Sequence, residues 1–127
     1  MMARRAFSVV VALPGLLFVV MGLRWLVDPA GAAPTLGLTL ETGLGLSSQV
    51  ADLSAFFLVM GLSILIAAVT RRRFWFYPPA MLLLIAAAGR LVAWVLHGAA
   101  FALQPIVFEL VVASLLLIAA RYLPERD

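Results

Sequence analysis

The sequence predicts an all-α fold: a four-transmembrane-helix antiparallel bundle with both termini cytoplasmic. Three observations predict it. The 127-residue chain is 65% hydrophobic and 12% charged, with a mean hydropathy of +1.15. Soluble domains run near ~45–50% apolar and ~25% charged. The apolar residues gather into four runs, each near the ~20 residues that a helix needs to cross ~30 Å of hydrocarbon. The arginines then sort the connections between those runs into two classes. One class carries Arg4 and Arg5, Arg71–Arg73, Arg121 and Arg126; the other carries no arginine at all.

The runs cover residues 6–27, 52–69, 78–96 and 105–120, and an outer loop covers 28–51. Lipid cannot solvate free backbone N–H and C=O groups, so each run should be helical. None shows the period-two polarity of a membrane strand. The first run follows Arg4-Arg5 and contains Pro14-Gly15, a kink signal. With Ala30-Gly31-Ala32 beyond it, this start mimics a cleaved leader. Its apolar part exceeds the usual ~7–15 residues, and Arg24-Trp25 interrupt the approach to that site, so a retained span is expected.

In the outer loop, Leu36, Leu38, Leu40, Leu44 and Leu46 share one parity. Alternation of this kind fits a short extended element on the outer surface. Pro34, Gly37, Gly43 and Gly45 fit an irregular loop instead. Asp52 opens the second span, with Ser47, Ser48 and Gln49 just ahead of it as capping or turn residues. Phe74, Trp75, Phe76, Tyr77 and Tyr122 are placed as interface anchors on the arginine side, Trp25 and Trp94 on the other. By the positive-inside rule, the arginine side is cytoplasmic.

Polar residues inside the apolar runs concentrate in the outer half. Arg90 lies about 10 Å below the outer end of the third span, counting back from His97 at ~1.5 Å per residue. Glu109 follows Pro105, a natural first residue of the fourth span, and reaches a matching depth. A short connection makes these spans antiparallel neighbours, so Arg90 and Glu109 should pair. Arg24 and Asp28 stand i,i+4 at the outer end of the first span. Arg90, Trp94 and His97 share one face of the third. The candidate intramembrane or ligand-binding cluster is therefore Arg24, Asp28, Asp52, Arg90, Trp94, His97 and Glu109. The acids near helix starts and the cations near helix ends also match the macrodipole, so a sealed salt-bridge network fits the same residues.

Several classes are excluded. With no cysteine there is no thiolate, disulfide or iron–sulfur chemistry, and one histidine builds no zinc site, so neither a metal nor a cofactor is expected. The isoelectric point near 10.6 comes from topology-marking arginines rather than a phosphate-reading face, so nucleic acid is not an expected partner. The expected partners are membrane lipids. Gly89 and Ala93 form a small-xxx-small pair that serves either an internal helix contact or a second copy of the chain.

Two stretches carry a resemblance. One is Arg24-Trp25-Leu26-Val27-Asp28-Pro29 with Asp52-Leu53-Ser54-Ala55-Phe56-Phe57-Leu58 and Gly61. The other is Gly89-Arg90-Leu91 with His97-Gly98 and Glu109. Together they resemble small bacterial four-helix membrane proteins, broadly DoxX-like. The resemblance implies an inner-membrane bundle with an arginine in the third helix and a glutamate in the fourth. Such proteins often carry an arginine early in the second helix, where this chain has Asp52 and Ser54. No established reaction is implied.

The main expectation is a non-enzymatic bundle with a structural role or one in binding a small molecule or lipid. Association of DoxX-like proteins with redox complexes implies a different role, a subunit that binds a quinone-like molecule. Trp94 and Phe108 would be its walls and Arg90 or His97 its donors. A small proton-coupled transporter is the third role that the polar residues suggest.

The orientation is directly testable. Reporter fusions after Leu46 and after Gly98 are expected to read periplasmic, and one after Arg72 cytoplasmic. Reversal at two of these sites would overturn the orientation.

Overall fold

The structure, a computed structural model, describes residues 2–123. Among these residues are five α-helices: α1 Met2–Val27, α2 Pro29–Ala32, α3 Gly43–Thr70, α4 Tyr77–His97 and α5 Leu103–Tyr122. No strand occurs among the described residues. Four of the helices, α1, α3, α4 (with the 3-10 turn before it) and α5, are long and apolar enough to cross a membrane. The chain is thus a helical bundle of the multi-pass membrane type. Their antiparallel order brings the start of α1 and the end of α5 to one end, with Arg71–Arg73. Arg126 lies outside the described residues.

Each long helix buries one stripe. In α1 it is Val11, Gly15, Phe18, Gly22 and Trp25, spaced four and three in alternation. Positions 54, 57, 61, 64 and 68 of α3 repeat that spacing. So do 106, 109, 113, 116 and 120 of α5. This is the repeat of helices that pack at a shallow crossing angle. The other faces carry exposed Leu, Val and Ile throughout, as lipid-facing surfaces do.

The α1–α3 contact is the closest. A Cβ on Gly61 would stand 2.6 Å from the Gly15 carbonyl oxygen and 2.7 Å from the Val19 nitrogen. One on Gly22 would stand 2.6 Å from Leu58 Cγ. Here the backbones touch because the side chains are missing. In lipid, where apolar burial gives helices no reason to associate, such close van der Waals packing is a main source of adhesion. Gly15, expected to serve a kink with Pro14, is a contact residue of this seam. Ser8 Oγ donates to the Ala68 carbonyl (3.4 Å), which sets the antiparallel register at the arginine end.

The region 28–51 departs most from expectation. It holds no extended element. Asp28 caps α2 by accepting from the Gly31 N–H (3.2 Å), and a 3-10 turn, Ala33–Leu36, follows directly. Gly37 at φ 71° closes that turn, and Gly43 at φ 57° opens α3. Both conformations favour glycine and interrupt a strand. Between them, Gln49 clamps the chain, accepting from the Glu41 N–H (2.9 Å) and donating to the Thr39 carbonyl (3.0 Å). Gln49 does this from inside α3, because the helix begins at Gly43 rather than Asp52 and Thr42 is its N-cap. Likewise α5 begins at Leu103, so Pro105 sits within its first turn.

Two aromatic placements change as well. Trp25 is only 1% exposed, joining one core cluster with Ala32 and Ala33, and is no interface anchor. Phe76 is equally buried. Phe74, Tyr77 and Tyr122 remain exposed at the arginine end.

The seam gives a sharp test. Gly61→Ala drives a methyl group into the α1 backbone and is expected to destabilise the bundle by about 1–3 kcal/mol in a detergent melt. Gly89→Ala, whose new methyl would meet nothing within 4 Å, should leave the melt unchanged or raise it slightly.

Candidate functional site

The buried stripe of α4 runs through Ala80, Leu83 and Ala87, and one further step along it is Arg90. The stripe of α5 runs through Glu109. Both side chains thus point at the α4–α5 contact by helical geometry alone. Arg90 Nε donates to Glu109 Oε1 at 2.8 Å. The burial is uneven: the Glu109 side chain is 9% exposed and that of Arg90 38%. Glu109 is the only buried carboxylate among the described residues. It is compensated by the pair, whereas the Arg90 side chain stays partly exposed.

Arg90 and Glu109 both line a cavity of about 740 Å³. It lies between the α1–α3 pair and the α4–α5 pair. Phe18 and Met21 come from α1, and Leu53, Phe56, Phe57 and Met60 from α3. Leu83, Ala86 and Arg90 come from α4, and Pro105, Phe108 and Glu109 from α5. Thr35 to Leu38 and Ala102 border it from the connecting segments. Three phenylalanines join the helices around it. Phe18 stacks on Phe57 (6.1 Å, 20°) and meets Phe108 edge-on (6.0 Å, 73°). The cavity is therefore mostly apolar and aromatic, with the Arg90–Glu109 pair, Gln104 and Thr35 as its polar side chains. That is the usual composition and size range of a small-molecule site.

The remaining candidates fall elsewhere. Arg24 pairs loosely with Asp28, at 3.8 Å and with both side chains about half exposed. Arg24, but not Asp28, borders a smaller cavity of about 320 Å³ with Trp25, Ala32 and Thr35. Asp52 is exposed and lies well inside α3, beyond the first turn where a helix dipole acts. Trp94 is exposed and packs on Phe101, ring centroids 4.8 Å apart. His97 is exposed at the last residue of α4. The seven residues thus form no single network: two separate ion pairs are present, and Asp52, Trp94 and His97 border neither cavity. No group of three or more His, Cys, Asp or Glu stands together among the described residues.

Sequence reasoning gives no site role to the lining residues Phe18, Phe56, Phe57, Met60 and Leu83, although Phe56 and Phe57 fall in a stretch that carries the resemblance. Phe18, Phe57 and Leu83 lie on the buried stripes, so helical periodicity is the signal that could have found them. Comparison with protein-family models, curated proteins and solved structures finds no match to this chain.

The pair predicts a specific mutational pattern. Glu109→Gln keeps the shape and leaves Arg90 without its anion. Because Arg90 has partial access to the cavity, the expected loss is about 1–3 kcal/mol, short of the roughly 3–5 kcal/mol of a sealed pair. Arg90→Gln should cost as much or more, since it strands the better-buried Glu109. Melts of both singles and the double variant should show coupling, the double recovering part of the loss. Strict additivity would mean that the two do not pair.

Proposed function

We propose that this chain is a multi-pass protein of a bacterial inner membrane, with both termini cytoplasmic and broadly DoxX-like in layout. Its periplasmic half binds a small amphiphilic molecule in the cavity beside Arg90 and Glu109. One observation carries this reading: a partly exposed arginine side chain, paired with a buried carboxylate, in the lining of a large, mostly apolar cavity. A structural ion pair needs no such space beside it.

The chemistry follows from the lining. Arg90 commits Nε to Glu109, which fixes the plane of the fork and leaves the Nη donors for a ligand acceptor. Glu109 offsets the charge, so the corner suits a carbonyl, ester or other neutral oxygen. Phe18, Phe57, Met60 and Leu83 take the apolar remainder. The role is binding rather than catalysis, since the polar groups reaching the cavity suit holding a head group more than turning one over. A quinone-like ligand is the second reading, favoured by the phenylalanine walls together with a donor for one carbonyl.

Native mass spectrometry of the protein purified in mild detergent tests this. Wild type should retain a bound small molecule that Leu53→Trp, which fills the cavity, loses. Arg90→Gln should lower its occupancy while keeping the fold. Quinone absorbance in the released molecule would favour the second reading. Equal occupancy in wild type and Leu53→Trp, or none in wild type after titration with total membrane lipid extract, would refute the binding role.

A further inference from the structure

The opposite end of the bundle has a chemistry of its own. All nine cationic side chains of this protein are arginine; there is no lysine. Arg4 and Arg5 stand in the exposed first turns of α1. Arg71 ends α3, Arg72 and Arg73 follow it, and Arg121 stands in the last turn of α5. The Ser8–Ala68 hydrogen bond holds the start of α1 beside the end of α3, so these groups share one surface. The carboxylates of the described residues, Asp28, Glu41, Asp52 and Glu109, all belong to the other half of the bundle or its connections. Among the described residues this end is therefore strongly cationic.

Arg71 is the distinctive member. It occupies the left-handed region (φ 54°), where glycine is the usual residue. Its Nε is buried and has no hydrogen-bond partner among the described residues. An orientation signal requires only positive charge near the span, on a freely solvated side chain. Arg71 is only half-buried as a residue, so the side chain is held against the helix end at Nε while part of it stays open to an acceptor from outside. Exposed Phe74, Tyr77 and Tyr122 flank the surface, and aromatic rings of this kind mark the headgroup level of a bilayer.

We propose that the arginine end, centred on Arg71, binds the phosphodiester headgroup of an anionic phospholipid. The guanidinium fork matches two phosphate oxygens, which an ammonium cannot do, and Arg4, Arg5 and Arg72 supply the field that draws an anionic headgroup over a zwitterionic one. This surface lies at the end opposite the cavity, so it stands or falls independently of the ligand there.

The experiment is native mass spectrometry of the detergent-solubilised full chain titrated with phosphatidylglycerol or with phosphatidylcholine. Wild type should bind phosphatidylglycerol preferentially. Arg71→Gln and Arg72→Gln should each weaken phosphatidylglycerol binding about fivefold, as expected for one basic residue near an anionic headgroup, with phosphatidylcholine unchanged. Arg71→Lys should fall nearly as far as Arg71→Gln, because it keeps the charge and loses the fork. Arg24→Gln, at the other end, should have no effect. A circular-dichroism melt identifies a variant that fails to fold, and Arg72→Gln, at an exposed position, then carries the test. Equal binding of the two lipids, or equal losses from Arg24→Gln and Arg72→Gln, would overturn the proposal. So would full retention by Arg71→Lys, since charge alone would then suffice.

Discussion

Lipid surrounds these helices with material as apolar as their own side chains, so something other than apolar burial must hold them together. In this bundle it is the close approach of α1 to α3 at Gly15, Gly22 and Gly61. The missing side chains let two backbones touch, and the contact commits most of the inner face of α1 to α3. On the other side, α4 and α5 face each other across small residues and one ion pair. Two tight pairs result, and they meet each other more sparsely. The cavity is what remains between them in one half of the molecule, spanned by Phe18, Phe57 and Phe108.

Arg90 and Glu109 gain their meaning from that arrangement. Either residue alone is costly in hydrocarbon, and their 2.8 Å contact answers that cost. Yet the contact leaves Arg90 much more open than Glu109. A network built only to lock the helices would bury both partners and draw in Arg24, Asp28 and Asp52. Instead Arg24 and Asp28 form their own loose pair, and Asp52 lies apart. This half of the bundle therefore separates into a packed, neutralised pair beside a cavity and a set of exposed polar residues around it.

Spans, their antiparallel order and the meeting of Arg90 with Glu109 were legible in the sequence, because they depend on run length and on rise per residue. Counting back from His97 and forward from Pro105 brings those two side chains to one depth. Other features depend on what a count does not contain. The leucines at 36, 38, 40, 44 and 46 alternate like a strand, but positive φ at Gly37 and Gly43 breaks the segment into a turn and a helix start. Helix α3 begins at Gly43 because Gly43, Gly45 and the serines are tolerated in a helix whose start is clamped by Gln49. That extension takes Asp52 away from the helix terminus. Trp25 reads as an interface residue until α2 and the turn after it fold back beside it. The cavity itself was not legible, since a void depends on how closely two pairs of helices meet, and three glycines and three phenylalanines on different helices decide that distance jointly.

The central claim is that the space between the helix pairs is an accessible pocket in the folded protein. The chain has no cysteine, so a single engineered thiol reports on its own position without background. Ala86 lines the cavity, whereas Ala113 is fully buried in the core. The direct measurement is the rate at which a small methanethiosulfonate reagent modifies Ala86→Cys and Ala113→Cys in the purified, folded protein. An accessible pocket predicts rapid modification of Ala86→Cys, slowed when Leu53→Trp is added, and little or none of Ala113→Cys. If Ala86→Cys is as inert as Ala113→Cys, the helix pairs close on each other and the pocket does not exist.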